Sequence, residues 1–374
     1  MNYTKIRTDL IKSTLNLLRP KDKSYCVFKK GTISIEYKSG IIASMKSPIA
    51  FFEGVLDSRL FIELGKIRKK YLCLGIKNYT IKIKSEHLHQ SILFTPIGCH
   101  DVGIDLWSSS VKWNPCRQDI VKGIYSVADL LPWSSISTID KEDLALSLIH
   151  MVDGYVYAFN CYSIRASRYK LSAPPPFNIS LSPVGIKKVF SQIKKRKLLH
   201  VAQADIQQGT KVDKGMAFDF GDIRIWVPAV EVNDCNTLEG ERGGRINYGR
   251  NEVVSKVNYY LSIPCEFIIT IPPDLKNFIF QTKVMRGDDN YMTITFMKNK
   301  IRLRHQIKSF SESEETIFTK INIPKYRIKI QVNHLDFKKA LINKTLMGLI
   351  DLNISNGHCL LYFRNRTSEH FIRT

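Results

Sequence analysis

The sequence lacks the motifs that usually carry catalysis or hold a metal ion. It contains no phosphate-cradling GxxxxGK[ST], no HExxH and no GxSxG. Its eight cysteines stand singly, with no CxxC pair. Structural zinc sites and disulfide frameworks need clustered cysteines, so we interpret these as buried, reduced thiols. The absences leave no specific reason to expect an enzyme, a metal or a cofactor.

Long apolar runs are also missing. No stretch approaches the ~20 consecutive apolar residues that a membrane span needs. The N-terminal residues MNYTKIRTDLIKS have no apolar core of a signal peptide. We therefore expect a soluble, intracellular protein without a membrane partner. Of its 374 residues, 44% are hydrophobic and 10% aromatic, which is enough for two or three packed domains.

Positively charged residues are the most prominent feature of the composition. Lys and Arg number 56 against 34 Asp and Glu, which gives a net charge of +22. Such an excess attracts polyanions, and nucleic acid is the commonest inside a cell. A generally basic surface with no specific partner is the plainer alternative. The positions of the lysines must decide between the two.

Paired runs of alternating apolar and polar residues predict antiparallel hairpins at six places. Several carry Gly or Asn at the turn, where a positive φ is often required. The pairs are residues 32–47, 71–85, 155–171, 216–228, 291–307 and 352–365.

Amphipathic stretches alternate with these hairpins and predict helices whose outer faces are basic. The stretches are residues 4–19, 58–70, 182–197, 272–284 and 333–344. For one helix alone, a solvated basic face is the simpler interpretation. Recurrence on at least three helices favours phosphate contacts without sequence readout. The candidate DNA-binding residues are Lys5, Lys12, Arg19, Arg59, Lys66, Lys69, Lys70, Lys187, Lys188, Lys194, Lys195, Lys276, Lys283, Lys338 and Lys339.

The spacing of the lysine-bearing helices indicates an internal repeat. They begin near 58, 182 and 333, and the second interval is longer by about the length of the Gly- and Asn-rich segment 233–257. Without that segment, which we interpret as an interdomain or inserted loop, the repeat is about 120 residues. Three domains follow, at 1–118, 119–240 and 241–374.

Two acidic clusters are the best remaining candidates for chemistry. SESEE at 311–315 lacks the spacing of a calcium loop, and Asp288-Asp289 lies in RGDDN, so we predict solvated turns for both. HLHQ at 87–90 is the one local pair of histidines, with no third ligand nearby in the sequence. GERGGR at 240–245 has no strand before it or helix after it, so we predict a loop.

Several segments resemble the bacterial DNA polymerase sliding clamps, the β-clamp family. VYAFNCYSIRASRYKL (156–171) occupies the place of the family's strand–turn segment, and FNISLSPVGIKKVFSQI followed by MAFDFGDIRIWVP repeats the family's order of strand, helix and hairpin. The C-terminal FKKALINKTLMGLIDLNISNGHCLLYFRNRTSEHFIRT is similar to the final helix, hairpin and strand. The similarity covers nearly the whole chain and identifies it as a divergent phage or bacterial member.

The resemblance implies an α+β fold of three tandem clamp domains. Each has antiparallel sheets outside and two helices that face a DNA channel. It also implies a homodimeric ring around double-stranded DNA, opened by a clamp loader and bound by DNA polymerase. No enzymatic activity, cofactor or metal is expected. The place of action would be the bacterial cytoplasm or nucleoid, in the host cell if the protein is phage-encoded.

The resemblance further implies a pocket for partner peptides between the second and third domains. The family's Asp-Gly-His-Arg-Leu segment falls on residues 160–164, where Cys161 replaces the usual Gly and Ser163 the usual Arg. These departures indicate that the recognised peptide motif has drifted. The implied pocket residues are Tyr162, Ile164, Ile263, Pro264, Phe371 and Ile372.

Two alternatives stay open at the level of sequence. A clamp fold that holds DNA electrostatically, without a closed ring, would suit the high net charge. A metal-dependent nuclease subunit would use SESEE or Asp288 and Asp289 as ligands. The oligomeric state, with monomer and trimer beside dimer, and the polymerase served are not determined by the sequence.

Overall fold

The computed structural model divides the chain into two compact units, Met1–Val121 with Ala173–Glu231 and Lys122–Ser172 with Val232–Thr374. The residues that the structure describes are 3–20, 24–37, 39–85, 88–96, 105–128, 131, 145–160, 165–183, 186, 189–190, 193, 196–208, 211–232, 237–239, 245–247, 249–282, 291–307, 311–319, 321, 327–353 and 358–373.

Strands dominate the described residues, with short helices between them. The helices are α1 (Thr8–Leu18), α2 (Ser58–Lys66), α3 (Asp119–Ala128), α4 (Arg250–Ser262), α5 (Pro273–Gln281) and α6 (His334–Leu341). The strands are β1 (Thr4–Arg7), β2 (Tyr25–Lys29), β3 (Thr32–Glu36), β4 (Ile42–Lys46), β5 (Gly54–Asp57), β6 (Tyr71–Lys77), β7 (Thr80–Ser85), β8 (Leu88–Leu93), β9 (Asn114–Pro115), β10 (Ile149–Val152), β11 (Tyr155–Asn160), β12 (Arg165–Lys170), β13 (Ile179–Leu181), β14 (His200–Gln208), β15 (Lys211–Asp219), β16 (Ile223–Pro228), β17 (Thr237–Glu239), β18 (Arg245–Asn247), β19 (Phe267–Thr270), β20 (Tyr291–Met297), β21 (Lys300–Ile307), β22 (Ser311–Phe318), β23 (Arg327–Asn333), β24 (Leu346–Asn353), β25 (His358–Arg364) and β26 (Ser368–Arg373).

The first unit contains two antiparallel sheets. The larger has the order β5-β2-β3-β4-β16-β15-β14-β9, and the smaller has the order β1-β6-β7-β8. Three buried phenylalanines form part of its core, with the ring of Phe28 5.0 Å from that of Phe52 and 5.5 Å from that of Phe61. Packed aromatic rings at these distances add stability beyond their buried area.

The second unit repeats this organisation. One sheet runs β10-β11-β12-β26-β25-β24-β19, another runs β22-β21-β20-β23, and β17 pairs with β18. The six strands β10-β11-β12-β26-β25-β24 have the connectivity of β2-β3-β4-β16-β15-β14 in the first unit. Both sets begin with a two-residue turn whose residues have positive φ, Lys30-Gly31 and Asp153-Gly154. All six predicted hairpins occur, and the predicted α+β fold with a repeated module is confirmed. The boundaries at 118 and 240 stay a prediction.

Glycines allow helices to approach their neighbours closely. A Cβ on Gly65 of α2 would lie 2.2 Å from a methyl carbon of Leu15 on α1. A Cβ on Gly123 of α3 would lie 2.9 Å from the ring of Tyr169 and 3.0 Å from Val156. Since any larger side chain would push these elements apart, the glycines fix the depth at which the helices pack.

Three local predictions were wrong. Residues 4–7 form β1, so the first helix begins at Thr8, because Thr4–Arg7 pairs with Tyr71–Leu74. SESEE (311–315) belongs to β22, paired with β21, and is not a turn. The segment 233–257 is not all loop, since it contains β17, β18 and the first half of α4, whose buried Val253 and Val257 are four residues apart.

Lys344 is an unusual buried cation in the second unit. Its side chain is only 2% exposed, and its Nζ donates a hydrogen bond to Ser368 Oγ. Burial lowers the pKa of Lys344 to about 7, although nearby Glu369 acts in the opposite direction. The Lys344 amine therefore binds its proton more tightly in the unfolded chain than in the folded protein.

Lys344 should therefore make the protein more stable as the pH rises from 7 towards 10. Over this range its folding contribution increases by up to about 1.4 kcal/mol per pH unit, because the unfolded state holds the extra proton. Lys344→Met should remove this component and be more stable than the wild type at pH 7. Urea denaturation of both proteins at several pH values measures the difference, and equal slopes would contradict it.

Candidate nucleic-acid interface and partner surface

The helices α1 and α2 present several predicted cations to solvent. Lys12, Arg59 and Lys66 are all exposed. Arg59 is paired with Asp57 at 2.6 Å and Lys66 with Glu63 at 2.5 Å. Such exposed pairs are weak and are screened by salt, so they leave the cations able to exchange to phosphate.

Four of the predicted cations lie beside these helices rather than on them. Arg19 is the left-handed C-cap of α1, and Lys69 and Lys70 follow the end of α2. Lys5 lies on β1, with its Nζ 4.3 Å from the centre of the Tyr71 ring. The helical periodicity assigned to residues 4–19 therefore placed Lys5 on the wrong kind of element.

The second unit contributes fewer exposed lysines than predicted. Lys339 in the last turn of α6 is exposed. Its neighbour Lys338 is half-buried and donates to Phe280 O at 3.3 Å. Lys276 on α5 is half-buried, and its Nζ donates to Lys344 O at 2.6 Å. The ammonium group of Lys276 is thus hydrogen-bonded within its own unit.

Five of the predicted cations, Lys187, Lys188, Lys194, Lys195 and Lys283, lie outside the described residues. Four described residues of the segment 182–197, Ile186, Val189, Phe190 and Ile193, are at most 3% exposed. These are the four residues that the periodicity of 182–197 placed on one face.

Sequence reasoning missed α3. Its Ile120, Ile124 and Val127 are buried at helical spacing, while Lys122 is exposed. Asp119 in the first turn and this three-to-four-residue periodicity were the available signals. Lys122 therefore joins the candidate cations on the helices.

The predicted peptide-pocket residues divide between the two sides of β26. Phe371 packs in the cluster beneath α4, together with partly buried Ile263. Ile372 lies in the other core cluster of this unit, with Met347. Successive residues of a strand point to opposite faces, so Phe371 and Ile372 cannot line one pocket. Pro264 is exposed, and Tyr162 and Ile164 lie outside the described residues.

The helix α4 covers the surface around Phe371. The ring of Tyr260 is 5.0 Å from that of Phe371 and stacks at 6.2 Å on Phe159. A polar network holds the same helix, because Arg168 donates to Asn258 on α4 and to Glu369 on β26, at 2.8 and 2.9 Å. Burial opposes ionisation of Glu369, but hydrogen bonds from Tyr362 and Arg168 outweigh it and lower the pKa of this carboxyl.

A second polar contact joins α6 to β12. The guanidinium of Arg165 forms a two-pronged pair with the carboxylate of Asp336, with Nη1 2.6 Å from Oδ1. Burial raises the pKa of Asp336, and Arg165 opposes that rise. Arg165 immediately follows the segment that should carry the pocket residues Tyr162 and Ile164. The pair therefore anchors one end of that segment.

The described residues contain no group of three or more His, Cys, Asp and Glu that could hold a metal ion. The closest approach is a buried pair, His305 and His334, whose ring centres are 4.8 Å apart. Burial lowers the pKa of His334 to about 4. Asp288, Asp289 and His87 lie outside the described residues. Within the part of the chain that the structure describes, no helix is long and apolar enough to cross a membrane.

Comparison with solved structures defines the class of fold. A putative DNA polymerase III β subunit from Eubacterium rectale superimposes with a TM-score of 0.70 at 12% identity, covering 99% of this chain and 98% of that one. The Bacillus subtilis sliding clamp gives 0.70 at 12% identity, covering 99% and 97%. No protein-family model and no curated protein sequence matches the chain.

A third similar structure is the Helicobacter pylori β clamp bound to a DNA ligase peptide, with a TM-score of 0.66, 12% identity and 99% of each chain covered. The full-length coverage excludes a match through one shared domain. The chain has the fold of the bacterial DNA polymerase sliding clamps.

Tyr260 should hold α4 in place. Tyr260→Ala removes a ring packed against Phe159 and Phe371, so we expect a loss of about 2 kcal/mol in the free energy of unfolding and faster amide exchange in α4. Tyr259→Ala is the matched control, because its ring is 63% exposed. It should change stability by less than about 0.5 kcal/mol. Similar effects of the two substitutions would contradict the assignment.

Proposed function

We propose that this protein is a DNA polymerase processivity factor: a sliding clamp that surrounds duplex DNA and tethers the replicative polymerase. The observation that carries the proposal is the clamp fold, matched over 99% or more of the chain, combined with exposed cations on its helices. Lysines that contact phosphates bind DNA without reading its sequence, and such contacts exchange easily enough for sliding.

The proposed role is one of attachment and needs no chemistry. DNA enters through opening by a clamp loader, and polymerase binds through an extended peptide. The site for that peptide lies beside Ile263 and Pro264, with Tyr162 and Ile164 as further walls. Phe371, which α4 covers, supports the floor without being exposed. The protein would act where replicating DNA is, in the bacterial cytoplasm or nucleoid.

Two strand edges support closure of the ring by a second copy. β8 ends the sheet β1-β6-β7-β8, and β22 ends the sheet β22-β21-β20-β23. Each edge exposes a large apolar side chain, Leu93 at 74% and Phe318 at 80%. β22 carries three glutamates and β8 carries no Asp, Glu, Lys or Arg, so the two edges bring no like charges together. Unpaired strand edges without like charges favour pairing with each other.

Two copies joined in this way would form two identical joints and therefore a closed assembly. Each β8 would add to the β22 of the other copy. The alternative, a monomeric clamp fold that holds DNA by charge alone, is favoured only by the net charge of +22. Retention on DNA separates the two.

Topological retention should depend on the form of the DNA. Once loaded, the protein should stay on nicked circular DNA and leave the same DNA after linearisation, since a ring escapes only over an end. Gel filtration of labelled protein with each DNA measures this at a salt concentration that abolishes direct binding. Equal loss from circles and linear DNA would refute the ring and leave the electrostatic alternative.

Exposed lysines on the helices should control the affinity for duplex. Lys12→Gln with Lys339→Gln should reduce the slope of log K against log salt by about 1.8, because each lost phosphate contact removes about 0.9. Lys298→Gln with Lys300→Gln, from the β20–β21 hairpin, is the control of equal charge and should leave the slope unchanged. Fluorescence anisotropy over a salt series measures both.

The two edges should control assembly. Leu93→Asp and Phe318→Asp each place a carboxylate on a proposed joint, where burial would be costly. We expect the mass in solution to fall from about two copies to that of one 43.0 kDa chain. Tyr291→Asp, at an exposed position of β20 inside the sheet, is the control. Light scattering that shows no change for either edge variant would place the joint elsewhere.

A further inference from the structure

One face of the sheet β1-β6-β7-β8 is basic across three strands. Strand pairing puts Lys5, Cys73, Lys84 and His89 in one cross-strand row and Gly75, Lys82 and Ser91 in the next. Arg7 with Tyr71, and Lys77 with Thr80 and Leu93, complete the same face. We call the surface formed by Lys5, Arg7, Tyr71, Lys77, Lys82 and Lys84 the basic sheet face.

The opposite face of the same sheet is apolar and buried. Ile6, Leu72, Leu74, Ile81, Ile83 and Ile92 alternate with the residues of the basic sheet face and are at most 8% exposed. The core on this side fixes the sheet, while the lysines of the basic sheet face lie on the side away from it. They are separate from the cations that α1 and α2 present.

The charge of this face is unopposed on its own strands. β1, β6, β7 and β8 carry five cations and no acidic residue. The strands β20–β23 of the other four-stranded sheet also carry five cations, but with three glutamates. There Arg302 is paired with Glu314 at 2.5 Å. On the basic sheet face Arg7 is paired with Asp9 of α1, so the four lysines supply the uncompensated charge.

An aromatic ring lies within this charge. Tyr71 is 38% exposed, and the ammonium groups of Lys5 and Lys70 lie 4.3 and 5.6 Å from the centre of its ring. The neighbouring residues Cys73 and Gly75 are small, so they leave space above the sheet between the lysines. A sheet face with an exposed ring and surrounding lysines offers a stacking partner for a base and counter-charges for its phosphates.

We propose that the basic sheet face binds a single strand of nucleic acid without sequence preference. Duplex DNA buries its bases in the helix and could use the lysines but not the Tyr71 ring. An unpaired strand can use both. This inference goes beyond the proposed clamp function and does not depend on ring closure, because it concerns a surface of one sheet within one unit.

The test removes the charge from this face and from a matched face. Lys77→Gln/Lys82→Gln/Lys84→Gln is compared with Lys298→Gln/Lys300→Gln/Lys329→Gln, three exposed lysines on the strands and the β20–β21 turn of the other four-stranded sheet. The probe is a labelled oligothymidylate of ~16 nucleotides or more. We expect the first variant to bind about 100-fold more weakly at ~0.1 M salt, with a salt slope smaller by about 2, since each single-strand phosphate contact contributes about 0.7. The control should bind as the wild type.

Substitutions of Tyr71 distinguish base stacking from charge attraction alone. Tyr71→Leu should weaken oligothymidylate binding by about ten-fold, whereas Tyr71→Phe should retain it, because the ring and not the hydroxyl stacks on a base. Duplex binding and retention on circular DNA should be unchanged in all of these variants, so failure here is distinguishable from failure of the clamp function. Thermal melting and light scattering confirm that fold and assembly are intact.

Three outcomes would overturn the proposal. The first is unaltered oligothymidylate binding by the triple variant, and the second is an equal loss in the control. The third is competition by polyglutamate as effective as that by oligothymidylate, with no effect of Tyr71→Leu. That result would identify the face as a surface for acidic peptides. A triple variant that loses its dimer while keeping oligothymidylate affinity would assign the lysines to assembly instead.

Discussion

The architecture of both units depends on antiparallel pairing between strands that are far apart in the sequence. Ile42–Met45 of β4 pairs with Ile223–Trp226 of β16, and Arg165–Tyr169 of β12 pairs with Ser368–Ile372 of β26. Without these ladders, each half-sheet would end in an unpaired edge whose backbone groups need partners. These ladders join two short sets of strands into one extended sheet, and other segments of the chain pack on its surface.

Trp226 and Phe371 show how these ladders organise their surroundings. Trp226 lies in the cluster that includes Leu106 and Ala217, and its Nε1 donates to Ala204 O at 2.7 Å. A Cβ on Gly215 would lie 2.3 Å from the Trp226 indole, so only glycine fits beneath it. Phe371 holds the corresponding place beneath α4 in the second unit. Each joining strand thus carries an aromatic residue that packs with a segment from earlier in the chain, which is Leu106–Trp113 for Trp226 and α4 for Phe371.

The positions of cations on the fold are more informative than their number. The net charge of +22 is compatible with any polyanion partner. The structure divides the cations into groups. The first group lies on helices and includes Lys12 and Lys339, and the second lies on the basic sheet face and includes Lys82 and Lys84. Lys276 belongs to neither, because its ammonium donates to the backbone carbonyl of Lys344. The first group supports the clamp proposal, and the second supports a separate strand-binding surface.

The sequence by itself determined the hairpins, most helices and the repeated module, because alternation with a period of 2 or 3.6 is a local property of the chain. Only the tertiary structure decided that Lys5 lies on a strand, that SESEE belongs to an edge strand, and that Phe371 and Ile372 face opposite cores. Those outcomes depend on which distant strand is paired with each segment. A local pattern cannot specify a partner that is tens or hundreds of residues away.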